Sequence, residues 1–289
     1  MVLSDSKPPW IRIKLPGILN TPAAIKEIKS RALNTVCVEA RCPNQMECFR
    51  HGTATFLLLG PNCTRNCTFC AVEKKSVMPP DRIEPQKVAE AVFRMNLKYC
   101  VITMVTRDDL SDGGSCHIVQ TIEAIREMAE NIYLELLVSD LNGNWKALEN
   151  ILAALPEVLN HNIETVPRLY GDVRPKANYQ RSLKLLSKAS KHSPKLITKS
   201  GIMLGLGESR AEILQVMEDL RKVGCQILTL GQYLTPSPQH HPVIRYLPPE
   251  EFAQLKMEAV KFGFHATASS PLVRSSFQAE ALYHAANRK

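Results

Sequence analysis

The feature that most limits the fold is a regular alternation of short apolar runs with segments of helical period, starting near residue 53. The runs lack the polar alternation of strands that face water on one side, so both faces should be covered. Six such units predict an α/β fold, a parallel sheet with right-handed crossovers. The predicted strands are Ala54–Leu59, Tyr99–Val105, Tyr133–Val138, Val158–Ile163, Leu196–Leu204 and Gln226–Leu230.

The segments between the runs predict helices. They are Pro85–Asn96, Cys116–Asn131, Trp145–Ala154, Tyr179–Ser190, Arg210–Val223 and Pro249–Phe262. Before them, Thr21 as N-cap and Pro22 at the first helical position predict one short helix, followed by irregular chain. We expect three parts: an extension over 1–52, a barrel-like domain over 53–231 and a C-terminal extension over 232–289.

Three cysteines, Cys63, Cys67 and Cys70, have the spacing Cys-x3-Cys-x2-Cys. Three thiolates on one short loop can hold three irons of a [4Fe–4S] cluster and leave the fourth iron open for S-adenosylmethionine (SAM). The alternative is structural zinc, which would want a fourth ligand from a second Cys-x2-Cys pair. Because no such pair has a suitable spacing here, the iron–sulfur interpretation is favoured.

Three more cysteines, Cys37, Cys42 and Cys48, have the spacing Cys-x4-Cys-x5-Cys. They too lack a fourth cysteine, so a second cluster would need a ligand from elsewhere in the chain. Zinc binding, or three thiols packed in an apolar corner, explains this triplet equally well when it is taken alone.

Further motifs follow in order along nearly the whole chain. They are Thr106-Arg-Asp-Asp-Leu-Ser-Asp-Gly-Gly, Asn162-Ile-Glu-Thr-Val-Pro-Arg, Lys199-Ser-Gly-Ile-Met-Leu-Gly-Leu-Gly-Glu, Gly231-Gln-Tyr-Leu-Thr-Pro-Ser and Pro271-Leu-Val-Arg-Ser-Ser-Phe. With both triplets, they resemble the lipoyl synthase family of the radical-SAM superfamily. The chain departs from the family pattern at Phe277 (usually Tyr), at Ser270 (usually Gly) and at Ser139 and Leu141 (usually Pro and Phe).

The resemblance implies a partial (β/α)6 barrel of the radical-SAM type, two [4Fe–4S] clusters and SAM. It implies one cluster on Cys63, Cys67 and Cys70, and a second on the other triplet with Ser276 as the fourth ligand, Ser275 being the alternative. The implied reaction inserts two sulfur atoms at carbons 6 and 8 of a protein-bound octanoyl chain, after a radical derived from SAM removes hydrogen. The second cluster would be the sulfur donor.

Polar side chains follow several predicted strands, where catalytic residues of βα barrels lie. From the resemblance we expect SAM contacts from Phe69, Thr106, Asp108, Asn162, Glu164 and Arg174. Phe69 could instead simply pack the loop, and Asp108 or Asp109 could cap the helix beginning near Ser115. The glycines of Gly205-Leu-Gly207 suit a tight turn better than a phosphate loop. Cys100, Cys116 and Cys225 are expected to be buried.

The formal net charge of the 289 residues is +8, which predicts acidic partners. The basic residues are dispersed, so we expect neither nucleic-acid nor membrane binding. The chain has no run of 18 apolar residues and no signal peptide, which predicts a cytoplasmic protein. By resemblance the partners are an octanoylated lipoyl carrier domain, either the acyltransferase component of a 2-oxoacid dehydrogenase or the glycine cleavage H protein, and flavodoxin or ferredoxin as reductant. The rival hypotheses are another radical-SAM sulfur-inserting enzyme and a non-enzymatic iron–sulfur carrier or zinc-binding module.

Overall fold

The structure is a computed structural model that describes residues 7–11, 23–50 and 54–288. Its internal contacts divide the chain into two compact units. We call Leu15–Asn66 with Ala71–Leu159 the N-terminal unit, and Met1–Lys14, Cys67–Cys70 and Asn160–Lys289 the C-terminal unit. This division differs from the three parts expected from the sequence, which stay a prediction.

The order of the strands in the sheet is their order along the chain. In the N-terminal unit, β1 pairs with β2 and β2 with β3; in the C-terminal unit, β5 pairs with β6 and β6 with β7, and all four pairings are parallel. The strands are β1 Thr55–Leu58, β2 Tyr99–Met104, β3 Tyr133–Leu137, β4 Val158–Asn160, β5 Ile197–Leu204, β6 Ile227–Gln232 and β7 Ala266–Ser269.

The six predicted strands are all present, and β7 is the one that the sequence analysis missed. Its sequence, Ala-Thr-Ala-Ser, carries no large apolar side chain, so the search for apolar runs passed over it. β4 is shorter than predicted and ends at Asn160 rather than Ile163. Beyond it, Glu164 forms only an isolated bridge with Ile202, at a backbone φ of 65° that a regular strand does not adopt.

The six predicted helices are found with ends that differ by at most three residues. Their starts have local causes: in one of them the Ser209 side chain accepts from the Glu212 amide while Glu212 accepts from the Ser209 amide, a capping box. The helices are α1 Ala23–Ser30, α2 Val36–Glu39, α3 Gln45–Arg50, α4 Glu84–Arg94, α5 Ser115–Met128, α6 Trp145–Ala153, α7 Tyr170–Val173, α8 Tyr179–Ser190, α9 Arg210–Lys222, α10 Pro249–Lys261 and α11 Ala279–Asn287.

Two expectations about the first fifty residues have different outcomes. The segment of the first cysteine triplet was expected to be irregular, and this was wrong, because Cys37 lies in α2 and Cys48 in α3. The Thr35 hydroxyl starts α2 by accepting from the Val38 amide at 3.3 Å. The predicted cap at Thr21 and Pro22 lies outside the described residues.

Each unit has its own apolar interior. In the C-terminal unit, side chains of β5, β6, α9 and α10 form one buried cluster that includes Leu204, Leu230 and Phe252. In the N-terminal unit, the side chains of Val92 in α4 and Ile122 in α5 are at most 1% exposed. Within the described residues, no helix combines the length and apolar character needed to span a membrane.

Candidate active site

The first cysteine triplet lies within the N-terminal unit. Cys37 is only 6% exposed, while Cys42 and Cys48 are half-buried. The Cys42 amide donates to the Cys37 carbonyl at 3.1 Å, which closes the turn between the two thiols. Burial, with a smaller contribution from the neighbouring Cys42 and Cys48 thiols, raises the pKa of the Cys37 thiol to about 11. Three sulfur donors are thus gathered close enough to influence one another electrostatically.

Cys63 follows β1, in the loop where the second triplet begins. Its amide donates to the Glu73 carbonyl at 2.8 Å, and its sulfur accepts from the Arg65 amide at 3.4 Å. Thr64 ties the loop to the chain after β2: its hydroxyl donates to the Thr106 carbonyl at 2.9 Å and accepts from the Asp108 amide at 3.1 Å. Thr106 is therefore held beside Cys63 through its backbone.

Arg65, between two of the predicted ligands, has a side chain that is almost fully buried. Its guanidinium donates to both oxygens of Asp108 at 2.7 and 2.8 Å and pairs with Asp140 at 2.7 Å. Burial alone would lower the pKa of Arg65, but the two carboxylates outweigh it and raise the pKa above its ordinary value. Asp108 thus neutralises a buried arginine, a role that the sequence analysis did not foresee.

The suggestion that Asp108 or Asp109 caps α5 is wrong, because the N-cap is Gly114 and the carboxylate that binds the first amides is that of Asp112. The Asp112 carboxylate accepts from the Gly114 amide at 3.0 Å and the Cys116 amide at 2.9 Å. Asp109 instead accepts two hydrogen bonds from Arg107, which lower the pKa of its carboxyl. Cys116 is exposed, contrary to expectation, whereas Cys100 and Cys225 are buried as predicted.

The loops after β2 and β3 enclose a polar cavity of about 340 Å³ in the N-terminal unit. One wall is the left-handed turn at Leu141 and Asn142, whose φ angles are 49° and 50°. Such a turn is costly for residues other than glycine and persists only where its surroundings enforce it. The lining residues include Thr106, Asp108, Ser111, Ser139, Asn142 and Asn144.

In the C-terminal unit, the segment Cys67–Cys70 is fixed by its backbone. The Thr68 amide donates to the Val173 carbonyl at 3.0 Å, and the Thr68 carbonyl accepts from the His241 amide at 2.9 Å. His240 Nε2 lies 3.2 Å from the Cys70 carbonyl, so both histidines contact the backbone of this loop. Phe69 packs against the buried cluster of this unit. That contact is the packing alternative from the sequence analysis, and it leaves the predicted adenine contact untested.

Asn162 and Glu164 lie side by side beyond β4. Asn162 Nδ2 donates to Glu164 Oε1 at 3.0 Å. Burial raises the pKa of the half-buried Glu164 carboxyl, while Arg174 and Asn162 oppose the rise. Gly201 of β5 makes room for Asn162 and Thr229, since a Cβ there would lie 2.9 Å from Asn162 Oδ1 and 2.7 Å from Thr229 Oγ1. Two polar groups are thus preserved where a larger β5 residue would displace them.

Arg174 is 8% exposed and lies over the Tyr170 ring, with its guanidinium carbon 5.4 Å from the ring centroid. Its guanidinium donates to the carbonyls of Asn162 and Ile163 at 3.1 and 3.0 Å. This arrangement fixes the backbone that carries Asn162 and places a positive charge beside Glu164.

The two serines of the Arg-Ser-Ser motif have different surroundings. The Ser275 hydroxyl accepts from Asn160 Nδ2 at 2.7 Å and donates to Asn162 Oδ1 at 3.0 Å. Ser276 is half-buried. Ser275 is thus part of the polar network at the end of β4, which the sequence analysis did not detect because the contact joins residues more than a hundred positions apart.

The amides of the turn after β5 are bound by the side chain of Glu208, which lies in the same turn. The Glu208 carboxylate accepts from the amides of Gly205 at 2.6 Å and Leu206 at 2.9 Å. A Cβ at Gly205, where φ is +99°, would lie 2.2 Å from Gln232 Nε2. Because the amides that a phosphate would need are occupied, the tight-turn interpretation is confirmed.

The donor set suits iron–sulfur chemistry. Two triplets of thiols offer soft ligands, and an amide hydrogen bond to the Cys63 sulfur is typical of the surroundings of cluster ligands. In the part of the chain that the structure describes, no three His, Cys, Asp or Glu side chains stand close enough to enclose a single metal ion. A four-iron cube holds its cysteines farther apart than one ion does, so that observation concerns mononuclear sites.

Comparison with known proteins identifies the family. The model of the radical SAM superfamily matches residues 57–220. Lipoyl synthase of Caldicellulosiruptor saccharolyticus is 50% identical over 279 residues, 96% of this chain and 98% of that relative. Lipoyl synthase of Trichlorobacter lovleyi is 52% identical over 283 residues, 97% and 98% of the two chains. The chain belongs to the lipoyl synthase family.

Solved structures agree on the fold. Methylornithine synthase superposes with a TM-score of 0.57 at 10% identity, covering 86% of this chain and 83% of that one. SuiB of Streptococcus suis bound to S-adenosylmethionine gives 0.57 at 10% identity, covering 78% and 54%. The predicted class, an α/β fold of the partial-barrel radical-SAM type, is confirmed.

Family membership makes the chain a radical-SAM enzyme that uses SAM and [4Fe–4S] clusters. The rival hypothesis of a non-enzymatic carrier or zinc-binding module is thereby wrong, and so is that of a sulfur-inserting enzyme of another family. Lipoyl synthases act on lipoyl carrier proteins in general, which sets the class of partner.

Proposed function

We propose that this chain inserts two sulfur atoms, at carbons 6 and 8, into an octanoyl chain held on a lysine of a lipoyl carrier domain. The observation that carries the proposal is the presence of two cysteine triplets of unlike spacing in one chain, with Arg274-Ser-Ser near its end. A radical-SAM enzyme needs one triplet for SAM; the second gives this chain a place to hold the sulfur it transfers.

Cys63, Cys67 and Cys70 are the proposed ligands of the cluster that binds SAM. When bound and reduced, that cluster and SAM supply a carbon radical able to remove hydrogen from an unactivated C–H bond. The protein's own residues position the reactants and exclude water. We assign the auxiliary ligands to the 1–52 segment, the SAM site to 53–231 and the serine ligand to 232–289.

Ser276 is the proposed fourth ligand beside Cys37, Cys42 and Cys48. The choice of Ser276 follows from the family resemblance; the Ser275 hydroxyl accepts from Asn160 and donates to Asn162. A hydroxyl with both functions in use would have to leave this network to bind iron. Ser275 is better suited to orienting Asn162.

The proposed SAM contacts come from the polar ends of the strands. Asn162 and Glu164 offer a carbonyl and a carboxylate to the ammonium and hydroxyl groups of SAM, and Arg174 offers charge to its carboxylate. Thr106 and Phe69 are the proposed neighbours of the ribose and the adenine. Of these residues, Asp108 is the least available to contact SAM, because both of its oxygens already accept from Arg65. Its side chain nevertheless keeps 26% exposure.

The identities of the carrier protein and of the reductant are also proposed. A positively charged chain suits an acidic carrier, either the acyltransferase component of a 2-oxoacid dehydrogenase or the glycine cleavage H protein. Flavodoxin or ferredoxin would deliver electrons, and the site of action would be the cytoplasm.

Because exposed charges are screened over roughly 3 Å at 1 M salt, carrier affinity should fall with salt while SAM affinity changes less. A carrier affinity that is flat across the salt series would contradict the electrostatic part.

The deciding experiment uses the full chain. Iron and sulfide per chain, SAM cleavage after reduction, and the mass of an octanoylated carrier after turnover are measured on one preparation. The proposal expects two clusters, reductive cleavage of SAM and a product with two added sulfurs. SAM cleavage on this substrate without sulfur addition would overturn the proposed transfer and leave only a radical-SAM enzyme.

A further inference from the structure

Arg65 stands out because its side chain and its backbone have separate partners in the same small region. The guanidinium binds Asp108 with two hydrogen bonds and Asp140 with a third. The amide of the same residue donates to the sulfur of Cys63 at 3.4 Å. A residue whose side chain is fixed at three points has little freedom left in its backbone, so the amide stays directed at the sulfur.

The two carboxylates are themselves held. Asp108 follows β2 and its amide donates to the Thr64 hydroxyl. Asp140 follows β3, is fully buried, and accepts from the Asn142 amide at 3.1 Å. Because parallel strands end at one edge of the sheet, both acids reach Arg65 from the same side. The left-handed turn at Leu141 and Asn142 is part of what presents Asp140, which gives that costly turn a purpose.

Hydrogen bonds to ligand sulfurs are among the factors that set the reduction potential of an iron–sulfur cluster. They stabilise the more negative, reduced form. An N–H group held on Cys63 therefore favours uptake of the electron that starts the reaction. A free loop would sample orientations in which this bond is broken, and the average benefit would be smaller.

We propose that Arg65 is a positioning residue whose buried contact with Asp108 and Asp140 holds its own amide on the Cys63 sulfur and so raises the reduction potential of the SAM-binding cluster. The proposal rests on the assignment of that cluster to Cys63, Cys67 and Cys70. It does not rest on the identity of the carrier or on sulfur transfer.

A buried arginine–aspartate pair could serve stability alone, and buried ion pairs are weak evidence for anything more. The chain contains a matched control. Arg107 is equally buried and binds Asp109 with the same two-pronged geometry, at 2.8 and 2.7 Å. Its remaining donation goes to the Leu59 carbonyl at 3.3 Å and not to a ligand sulfur.

The experiment compares Arg65→Lys with Arg107→Lys in the full chain with both clusters loaded. Lysine keeps the positive charge but cannot form the planar two-pronged contact. Redox titration is followed by electron paramagnetic resonance, using the signal that changes when SAM is added, since this signal belongs to the SAM-binding cluster. Arg65→Lys should shift the midpoint potential to a more negative value, while Arg107→Lys should lower the thermal midpoint of unfolding and leave the potential at that of the parent.

An unchanged potential in Arg65→Lys, or an equal shift in Arg107→Lys, would overturn the proposal. If Arg65→Lys fails to load its cluster, hydrogen exchange of the peptide over 61–66 is measured in the metal-free proteins. Exchange should be faster by about tenfold in Arg65→Lys than in Arg107→Lys, as expected when a locally anchored segment loses its charge-assisted bonds. Equal exchange in the two variants would also contradict it. If Arg65→Lys shows the expected shift in midpoint potential but the parent chain makes no lipoyl product, the result would count against the proposed function alone.

Discussion

The two cysteine segments of this chain differ in what holds them. Over 37–48, hydrogen bonds within the segment close short local turns, as from Cys42 to Cys37 and from Cys48 to Asn44, and the backbone of Thr55 in β1 is hydrogen-bonded to the Cys37 thiol. Over 63–70, the partners lie far along the chain: Thr64 bonds to Thr106, Arg65 to Asp108 and Asp140, and Thr68 to Val173.

This difference has a mechanical consequence. A segment held mainly by its own short helices and by one strand, β1, can open more readily than one whose loop is bonded to the ends of several strands. The second arrangement suits a cluster that must survive many turnovers. The first suits a cluster that, in the proposed reaction, gives up sulfur and has to be rebuilt. We therefore expect the two segments to be separable in function, chemistry and stability.

The largest expected effect comes from removing whole triplets. Replacing Cys63, Cys67 and Cys70 with Ala should abolish SAM cleavage. Replacing the other triplet should leave SAM cleavage measurable but abolish sulfur transfer. The two assays are run on the same folded preparations, checked by circular dichroism. Lipoyl product from a folded chain lacking Cys37, Cys42 and Cys48 would show that the two segments do not divide the work in this way.

The next effect concerns Ser276, the proposed fourth ligand of the cluster on the first segment. Oxygen is a harder donor than thiolate and a poorer match for iron in a cluster. Ser276→Cys should therefore hold its full iron and cleave SAM, but accumulate a product with one sulfur instead of two. Ser276→Ala should lose iron before substrate is added. Iron analysis and mass spectrometry of the octanoyl peptide measure both.

Ser275→Ala is the matched control for that pair. It removes the hydrogen bonds to Asn160 and Asn162, so it should weaken SAM binding and leave the iron content unchanged. Iron loss in Ser275→Ala with a normal Ser276→Ala would mean that the ligand is Ser275. Normal two-sulfur product from Ser276→Cys would refute the argument from ligand softness.

A third prediction uses the burial of Cys37, whose pKa of about 11 lies above the ordinary thiol value of 9.0. The folded metal-free protein favours the neutral Cys37 thiol. The stabilisation that follows from this preference is complete below the unfolded pKa of the thiol, and it is lost as the pH rises through about 11. The loss amounts to about 2 kcal/mol. Cys37→Ala should thus show a smaller fall in the free energy of unfolding between pH about 8 and about 11, measured by urea denaturation.

Thr35→Val, in the same segment, is the control for that titration. It removes no ionisable side chain and should keep the pH slope of the parent protein. The same slope in Cys37→Ala and the parent would mean that Cys37 is not the group concerned, because Cys100 and Cys225 are buried thiols common to both proteins.

Much of this architecture could be predicted from the sequence because it depends on local signals. Apolar runs located six strands, and segments of helical period located six helices to within three residues. Two of the missed elements lack those signals: β7 is made of small and polar residues, and α2 is four residues long. Periodicity cannot resolve a single turn of helix.

The site divides in the same way. Ligand spacing is visible along the chain, so both triplets were found, whereas the contacts of Arg65 with Asp108 and Asp140 join residues 43 or more positions apart. The sequence analysis interpreted Asp108 as a SAM ligand or a helix cap, since nothing local pairs it with an arginine inside the cysteine motif. Only the folded sheet, which brings the ends of β2 and β3 together, reveals that partner.

The smallest expected effects come from single threonines, one in each segment. Thr35 caps α2, and Thr64 links the Cys63 loop to Thr106 and Asp108. Valine has nearly the same shape but no hydroxyl, so Thr35→Val and Thr64→Val should each cost about 1 kcal/mol in free energy of unfolding. Similar losses of stability should nevertheless have different chemical results, because each threonine anchors a different triplet. In the presence of an iron chelator, Thr64→Val should lose SAM cleavage faster than the parent protein, whereas Thr35→Val should first lose sulfur transfer while SAM cleavage persists. Parallel decay of both activities in both variants would mean that the two segments share one stability, and the contrast between them would then be one of geometry only.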